Sequence, residues 1–280
     1  MARLGENSYG KSRVRLSRIM RRENYHDFQE WTVRVLLHGD FESSFTEADN
    51  SKILPTDTMK NTVYSLARDS SAETIEEFAL ELGDHLLDNN PQVSKVSVEI
   101  EEKAWERMTC DGAAEATTFK LGGPELHTVS ADRAKGASWS IASGVEGLVI
   151  LKTTKSAFTG YIQDRLTTLK PATDRIFGTS ATVTWDYAAG KPPFGEVRSR
   201  VLDAIFREFA AHNSMSVQHT LFDMGKAALA AAPEIARIKL TMPNLHHLLA
   251  DLSAFGQDNP NHIFIPIDEP HGYIEATIER

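Results

Sequence analysis

Residues 54–62 combine polar and charged side chains at the start of a helix that the apolar spacing predicts. Pro55 bars a helix from running in from the N-terminal side, and Thr56 or Asp57 can then cap the helix that follows. The unpaired N–H groups and positive dipole end of such a helix suit an anionic ligand or a reactive oxygen species. An ordinary structural cap is the alternative that this stretch alone leaves open.

A lysine just ahead of the first predicted strand could add a base to the same chemistry. Lys11 follows Tyr9-Gly10, and a lysine in such a position is usually just solvated. If Lys11 hydrogen-bonds to Thr56 and is partly buried, its amine can take up a proton.

Three other side chains could hold a flat heterocycle. Phe158 follows a predicted strand, Arg175 lies a short way on, and Gln218 opens a later helix that Ser216 is expected to cap. An aromatic ring can stack on a planar ligand while a guanidinium binds two acceptors at its edge. An amide adds both a donor and an acceptor. Taken singly, the Phe could equally be core and the Gln an ordinary surface residue.

The segment 242–247, Met-Pro-Asn-Leu-His-His, follows a predicted strand and is too polar to continue the core. Adjacent histidines on a strand point to opposite faces, and no carboxylate or cysteine stands near them at ligand spacing. Cys110 is the only cysteine of the 280 residues, and no phosphate loop or dinucleotide fingerprint occurs. These residues therefore argue against a metal site and against a bound dinucleotide or a phosphate loop.

The composition is that of a soluble globular protein, with 41% hydrophobic and 25% charged residues. A net charge of −9 without a basic run argues against nucleic acid as the partner. No apolar run approaches the ~20 residues that span a membrane. The chain shows no secretory signal at its start and ends in Glu279-Arg280, which is not a peroxisomal signal. A cytoplasmic location is the expectation.

Apolar periodicity predicts the order strand, strand, helix, helix, strand, strand, and the same order then repeats. Local signals set some boundaries. Ser70 with Glu73 predicts the start of the second helix, and Gly122-Gly123-Pro124 should end a strand. Ser143-Gly144 should turn the chain between two strands, and a short helix is expected after Gly160.

These elements predict an α+β fold made of two tandem ββααββ units, residues 1–135 and 136–280, each with an antiparallel sheet and helices on one face. Sheets covered in this way leave exposed edges, which closure of several subunits into a barrel would remove. An oligomer is therefore expected.

Taken together, six segments resemble the urate oxidase (uricase) family, and they occur in the family's order along almost the whole chain. The matching segments are Tyr9-Gly10-Lys11; Thr56-Asp57 with Lys60-Asn61-Thr62; Thr153-Thr154-Lys155-Ser156-Ala157-Phe158; Thr167-Thr168-Leu169-Lys170 to Asp174-Arg175; Ser216-Val217-Gln218 with Thr220; and Pro243-Asn244-Leu245-His246 with Asp251-Leu252-Ser253. The resemblance implies the tunnelling fold, in which four chains stack into a barrel with sites between subunits.

The resemblance also implies oxidation of urate by dioxygen and water to 5-hydroxyisourate and hydrogen peroxide, without metal or cofactor. By the family pattern, Arg175 and Gln218 grip the urate and Phe158 stacks under it. The backbone N–H groups of Val217 and Asp57 would bind its edge.

The same resemblance implies a proton relay of Lys11, Thr56 and His246, with Asn244 and Thr56 holding dioxygen and then water above the ring. Lys11 and Thr56 would come from one subunit, and the remaining catalytic and binding side chains from its neighbour.

Two features depart from the family pattern, the Glu279-Arg280 end and Pro55 beside Thr56. Two other hypotheses stay open at this stage. One is a zinc-dependent tunnelling-fold enzyme acting on a pterin or purine, which the single cysteine and the lack of a spaced His trio disfavour. The other is a non-catalytic purine-binding oligomer.

Overall fold

The computed structural model describes residues 2–267 and 269–280. The chain forms two compact units, Met1–Gly144 and Val145–Arg280. The domain boundary predicted between residues 135 and 136 stays a prediction. Among the described residues, no helix is both long enough and apolar enough to cross a membrane.

The first unit follows the predicted order of strands and helices, with one short helix added after the second strand. Its elements are β1 (Tyr9–Arg21), β2 (His26–Gly39), α1 (Glu42–Thr46), α2 (Thr56–Asp69), α3 (Ile75–Asn89), β3 (Val93–Cys110) and β4 (Ala113–Ala134).

The strands of the first unit pair antiparallel in the order β1-β2-β3-β4. In β2, Val33, Val35 and Leu37 are buried while the residues between them are more exposed, because successive side chains of a strand face opposite sides. Phe78 of α3 stacks on Trp31 of β2 with ring centroids 5.0 Å apart. The helix thus covers the apolar face of the sheet.

Two boundaries predicted in the first unit are wrong. The helix α3 begins after Thr74, whose side chain accepts from the Glu77 N–H while the Glu77 carboxylate accepts from the Thr74 N–H. Ser70 instead ends α2, and its hydroxyl donates to Glu81 at 2.5 Å. Both Ser70 and Thr74 have a glutamate three residues on, but only the Thr74 pair directly precedes the apolar run of the helix.

The strand β4 continues through Gly122-Gly123-Pro124, where we expected it to end. Leu121 pairs with Trp105 and Leu126 with Lys103, so four residues of β4 face one residue of β3. A bulge of this kind absorbs the irregular sequence without breaking the ladder on either side.

The second unit begins within β5 (Ser140–Lys152) and also combines strands with two long helices. Its further elements are β6 (Phe177–Tyr187), α4 (Phe194–Ala211), α5 (Val217–Ala231), β7 (Ile235–Thr241), β8 (Asn244–Leu249), a 3-10 turn (Ser253–Phe255), β9 (Phe264–Ile267) and β10 (Glu275–Glu279).

In this unit β6 pairs with β7 and with β8, while β10 extends the sheet beyond β7 and β9 pairs with β8. The helix α4 buries Val197, Val201, Ile205 and Phe209, at the four-residue spacing of one helix face. They share one core with Trp185 of β6.

Three expectations for the second half are corrected. Ser143-Gly144 lies inside β5, where the buried Ser143 hydroxyl donates to Glu76 at 2.6 Å and so is satisfied within a strand. The short helix expected directly after Gly160 does not form among the described residues 161–176; instead, the Tyr161 hydroxyl donates to the Leu169 carbonyl at 2.6 Å. The polar segment from Asn244 is a strand, β8, which periodicity did not reveal.

The α+β class is confirmed, because antiparallel strands carry the packed helices in both units. Among the described strands, neither unit closes its own sheet into a barrel. Closure by several copies of the chain stays a prediction.

Candidate active site

The N-terminus of α2 is open. Pro55 occupies the N-cap position without a side-chain cap, and the Met59 N–H donates to the Pro55 carbonyl at 3.1 Å. The N–H groups of Thr56 and Asp57 precede this bond, so they have no acceptor within the helix. The prediction that Thr56 or Asp57 caps the helix is wrong, since both already lie inside it.

The Asp57 carboxylate is held by its own helix. It accepts from Lys60 at 2.5 Å and from Asn61 at 3.1 Å. The hydrogen bond from Lys60 is the main cause that lowers the pKa of Asp57, and the charge of Lys11 adds to it. With its side chain engaged, Asp57 offers its backbone N–H to a ligand.

The start of β1 is tied to the segment that leads into α2. The Tyr9 hydroxyl accepts from the Leu54 N–H at 2.8 Å, and the Tyr9 ring packs edge-on against Phe41. Burial raises the pKa of Tyr9 against the opposing effect of that hydrogen bond. The sequence had shown Tyr9 only as a neighbour of Lys11, and its anchoring role was missed.

Lys11 lies opposite Val35 at a bulge in the β1–β2 ladder. Before it, Gly10 has no room for a side chain, since an added Cβ would lie 1.8 Å from the Val35 carbonyl oxygen. The electrostatic effect of Lys11 reaches Asp57. However, the expected hydrogen bond between Lys11 and Thr56 is not made among the described residues.

In the second unit, Arg175 lies over an aromatic ring. Its Cζ is 5.3 Å from the centroid of Phe158, within range of a cation–π contact. Burial lowers the pKa of Arg175, although a guanidinium stays charged at neutral pH. Its Nε is buried without a hydrogen-bond partner among the described residues. The guanidinium is thus held in place with a donor left for an anionic acceptor.

Phe158 is fixed from both its backbone and its ring. It exchanges two backbone hydrogen bonds with Ala172, of 2.8 and 3.0 Å. The ring of Tyr161 stacks on it with centroids 4.9 Å apart and an interplanar angle of 11°. Sequence reasoning missed Tyr161, because nothing in the spacing of an irregular segment signals a stacked pair.

Asp174, next to Arg175, organises the loop that carries the guanidinium. Its carboxylate accepts from the Thr154 hydroxyl at 2.7 Å and from the Ser156 N–H at 3.4 Å. The hydrogen bond from Thr154 is the largest cause that lowers the pKa of Asp174. The carboxylate is therefore used for structure and leaves the neighbouring arginine unpaired.

The start of α5 presents Val217 and Gln218. Ser216 caps this helix as predicted, accepting from the His219 N–H at 3.1 Å. Val217 is the first helical residue, so its N–H has no acceptor within the helix, while Gln218 is exposed.

Asn244 and His246 lie on β8. The Asn244 N–H donates to the Gly272 carbonyl at 2.9 Å, and its amide nitrogen lies 3.4 Å from His246 Nδ1. Burial is the main cause that lowers the pKa of His246, and the positive charge of Arg175 comes next. At neutral pH the imidazole is therefore neutral and can accept a proton.

The predicted site residues fall into two groups. The first-unit group is Lys11, Thr56 and Asp57. The second-unit group is Phe158, Arg175, Val217, Gln218, Asn244 and His246. Direct or electrostatic contacts join Lys11 with Asp57, Phe158 with Arg175, and Arg175 with His246.

Comparison with known proteins assigns these features to one family. The family model described as Uricase matches residues 7–132 and 141–275. A uricase from Arthrobacter globiformis is 40% identical over 277 residues, covering 99% of this chain and 90% of the relative. A uricase from Dictyostelium discoideum is 37% identical over 283 residues, covering 100% of this chain and 98% of the relative.

The fold comparison agrees. The crystal structure of the Arthrobacter globiformis uricase superimposes with a TM-score of 0.93 at 39% identity, covering 100% of this chain and 96% of that one. A urate oxidase from Bacillus sp. TB-90 has a TM-score of 0.86 at 22% identity, covering 98% of this chain and 100% of that one. At that identity the likeness concerns the fold alone.

Proposed function

This chain belongs to the uricase family, and we propose that its two groups of site residues together oxidise urate with dioxygen. The enzyme is an oxidoreductase, a urate oxidase. Urate gives up two electrons and two protons, dioxygen takes them to become hydrogen peroxide, and water supplies the oxygen of 5-hydroxyisourate. The balance needs no further oxidant, and we propose that no metal or organic cofactor takes part.

The second-unit group binds the substrate. Urate is a planar anion with amide-like edges, so Phe158 stacks under its ring while Arg175 and Gln218 grip adjacent edges. The backbone N–H groups of Val217 and Asp57 complete the hydrogen bonds in the plane. The observation that carries this proposal is the position of Arg175, whose guanidinium lies 5.3 Å from the Phe158 ring centroid and whose buried Nε lacks a partner.

Lys11, Thr56 and His246 transfer the protons. Removing protons makes urate electron-rich enough to give an electron to dioxygen directly, and the positive guanidinium of Arg175 stabilises the anion that forms. The lowered pKa of His246 supports this role, because a neutral imidazole is the form that accepts a proton. The Thr56 hydroxyl both donates and accepts, so it can pass a proton between Lys11 and the ligand.

Asn244 and Thr56 hold dioxygen, and later water, above the ring. Asn244 is suited to this because its backbone is fixed to Gly272 and its amide lies beside His246. A water bound there can lose a proton to the neighbouring imidazole as it adds to the oxidised ring.

We further propose that the enzyme is a homotetramer with its sites between subunits. In each site the first-unit group comes from one copy of the chain, and the second-unit group comes from its neighbour. Support comes from the resemblance to the family and from strand edges that closure of several chains would cover. A monomer isolated under dissociating conditions should then be inactive.

The activity is tested with purified protein treated with a chelator and mixed with urate, in air and without oxygen. Urate absorbance and peroxide are followed together. We expect urate loss that requires oxygen, yields one peroxide per urate and is unaffected by the chelator. Turnover restored only by added metal would contradict cofactor-free oxidation. Urate binding without peroxide would point to the non-catalytic purine-binding oligomer.

A further inference from the structure

Three potential metal ligands converge in the second unit at a place that the urate chemistry does not use. We propose that His212, His219 and Asp223 bind one divalent transition-metal ion, such as Zn²⁺ or Co²⁺. One ligand atom from each lies within 4.8 Å of the other two. We call these three residues the His212 cluster. The proposal does not rest on the reaction with urate.

The distances in the His212 cluster match metal coordination better than hydrogen bonding. His212 Nδ1 lies 3.4 Å and His219 Nε2 lies 3.3 Å from the same oxygen, Asp223 Oδ2. Strong N–H···O bonds are about 2.7–3.2 Å long. By contrast, ligand atoms about 2.0–2.1 Å from a tetrahedral Zn²⁺ are separated by roughly 3.3 Å. An ion between the three atoms would need little movement of the side chains.

The local fold prepares this geometry. His219 and Asp223 are four residues apart on α5, so their side chains share one face of the helix. His212 follows the end of α4, where its N–H donates to the Glu208 carbonyl at 2.8 Å and its carbonyl accepts from Lys152 at 2.8 Å. The backbone that carries His212 is thus fixed.

The surroundings favour a cation. The side chain of His212 is only 9% exposed, so its Nδ1, the proposed ligand atom, is largely shielded from water. Glu208 Oε1 lies 3.4 Å from His212 Nδ1 and adds a second negative charge. Lys226 lies 3.5 Å from Asp223 Oδ1, so it engages the oxygen that faces away from the proposed ligand atom.

The ligand set decides the class of metal. Two imidazoles and one carboxylate suit Zn²⁺, Cu²⁺, Ni²⁺ or Co²⁺, whereas Mg²⁺ and Ca²⁺ take oxygen ligands. The fourth position would hold water. The ion would join the end of α4 to the first turns of α5. Its role is therefore structural.

Co²⁺ tests the site directly, because its visible absorption reports coordination geometry. The intact oligomer is stripped with chelator and titrated with Co²⁺, then with Zn²⁺ as competitor. We expect one Co²⁺ per chain with the intense bands of a tetrahedral site, lost when Zn²⁺ is added.

Variants assign the ligands. His219→Ala and Asp223→Asn should each weaken Co²⁺ binding by more than about 100-fold, since loss of an outer-shell partner alone costs about 10–100-fold. His262→Ala, at an exposed histidine elsewhere, is the matched control and should bind like wild type. Wild-type protein that binds no Co²⁺, or binds it with the affinity of both cluster variants, would overturn the proposal.

The unfolding temperature gives a second measurement, which stays informative even if a variant is less stable than wild type. Saturating Zn²⁺ should raise the unfolding temperature of wild-type protein by about 5 °C, because the metal binds only the folded state. Asp223→Asn should show no such rise even if it starts from a lower midpoint. An equal rise in both proteins would place the ion elsewhere.

Discussion

The two groups of site residues differ in how firmly the fold holds them. In the second-unit group, Phe158 is stacked on Tyr161 and bonded to Ala172, and the partly buried Arg175 is held over its ring. In the first-unit group, Thr56 and Asp57 lie at an open helix start, and no hydrogen bond joins Lys11 to Thr56 in the part of the chain that the structure describes.

This difference separates binding from proton transfer. A planar anion needs a rigid platform and a fixed charge, which packing provides. A proton relay needs donors and acceptors that remain free until the substrate and the partner residues arrive. We therefore expect damage to the second-unit platform to affect affinity first, and damage to the first-unit group to affect turnover.

The largest effect is expected at the relay. Lys11→Met or Thr56→Ala should lower turnover on the order of 10²–10⁴-fold, the usual loss when acid–base assistance is removed. Urate affinity should change far less. Single-turnover kinetics on bound urate together with equilibrium binding measure the two quantities separately. Collapse of affinity with normal turnover of bound urate would show that these residues bind the substrate and do not relay protons.

Arg175→Ala should show the opposite pattern. Loss of a charged, bidentate hydrogen bond of about 1.5–3 kcal/mol weakens urate binding roughly 10–100-fold. Arg175→Lys is the matched control, because it keeps the charge but loses the planar fork. We expect the Lys variant to recover only part of the affinity in an equilibrium titration, and full recovery would mean that charge alone binds urate.

The pH dependence connects the substrate platform to the proton acceptor. Because burial and then Arg175 lower the pKa of His246, the folded enzyme keeps the imidazole neutral at neutral pH. We expect kcat/KM to stay level down to about pH 6.5. Well below that pH, kcat/KM should fall about tenfold per pH unit. The unfolded chain binds this proton more readily, so His246 also makes folding less favourable as the pH falls through that value.

A charge-neutral variant tests the cause of that shift. Arg175→Gln should move the acidic limb of the kcat/KM profile to higher pH, since it removes a positive charge that disfavours protonation of His246. A limb that stays in place in this variant, or that survives in His246→Gln, would assign the titration to another group.

Alanine substitutions at two glycines test how tightly the backbone near each group is packed. Gly10→Ala places a Cβ 1.8 Å from the Val35 carbonyl oxygen, opposite Lys11. A Cβ at Gly178, in β6 beside β8, would meet the flexible end of a leucine at 3.3 Å and other side chains only at 3.6 Å. Overpacking against backbone should cost about 1–3 kcal/mol of unfolding free energy, and the Gly178 change less than about 1. Urea titrations measure both. Equal losses would mean that β1 can shift near Lys11.

Much of this fold follows from sequence patterns. The four-residue spacing of Val197, Val201, Ile205 and Phe209 gave α4, and Ser216 gave the start of α5. Boundary predictions were wrong where strand pairing overrode a local sequence signal. Gly122-Gly123-Pro124 signals a break, yet the β3–β4 ladder absorbs it.

The candidate site was found by resemblance, because no single polar residue distinguishes itself from an ordinary surface group. Periodicity could not show that Asn244 begins a strand, since β8 pairs with β6 through only a few residues and its side chains are not deeply buried. The stacking of Tyr161 on Phe158 and the anchoring by Tyr9 were also missed. Both depend on contacts between residues whose relation is set only by the folded chain.

Under the proposed assembly, each site needs the first-unit group of one copy of the chain and the second-unit group of another. Thr56→Ala and Arg175→Ala chains carry different affinity tags and are co-expressed, and the mixed oligomers are purified through both tags. At urate concentrations far below KM, we predict recovery to roughly a quarter of wild-type activity, the share of sites that random pairing leaves intact. Activity no greater than the sum of the two separate variants would show that both groups come from the same chain.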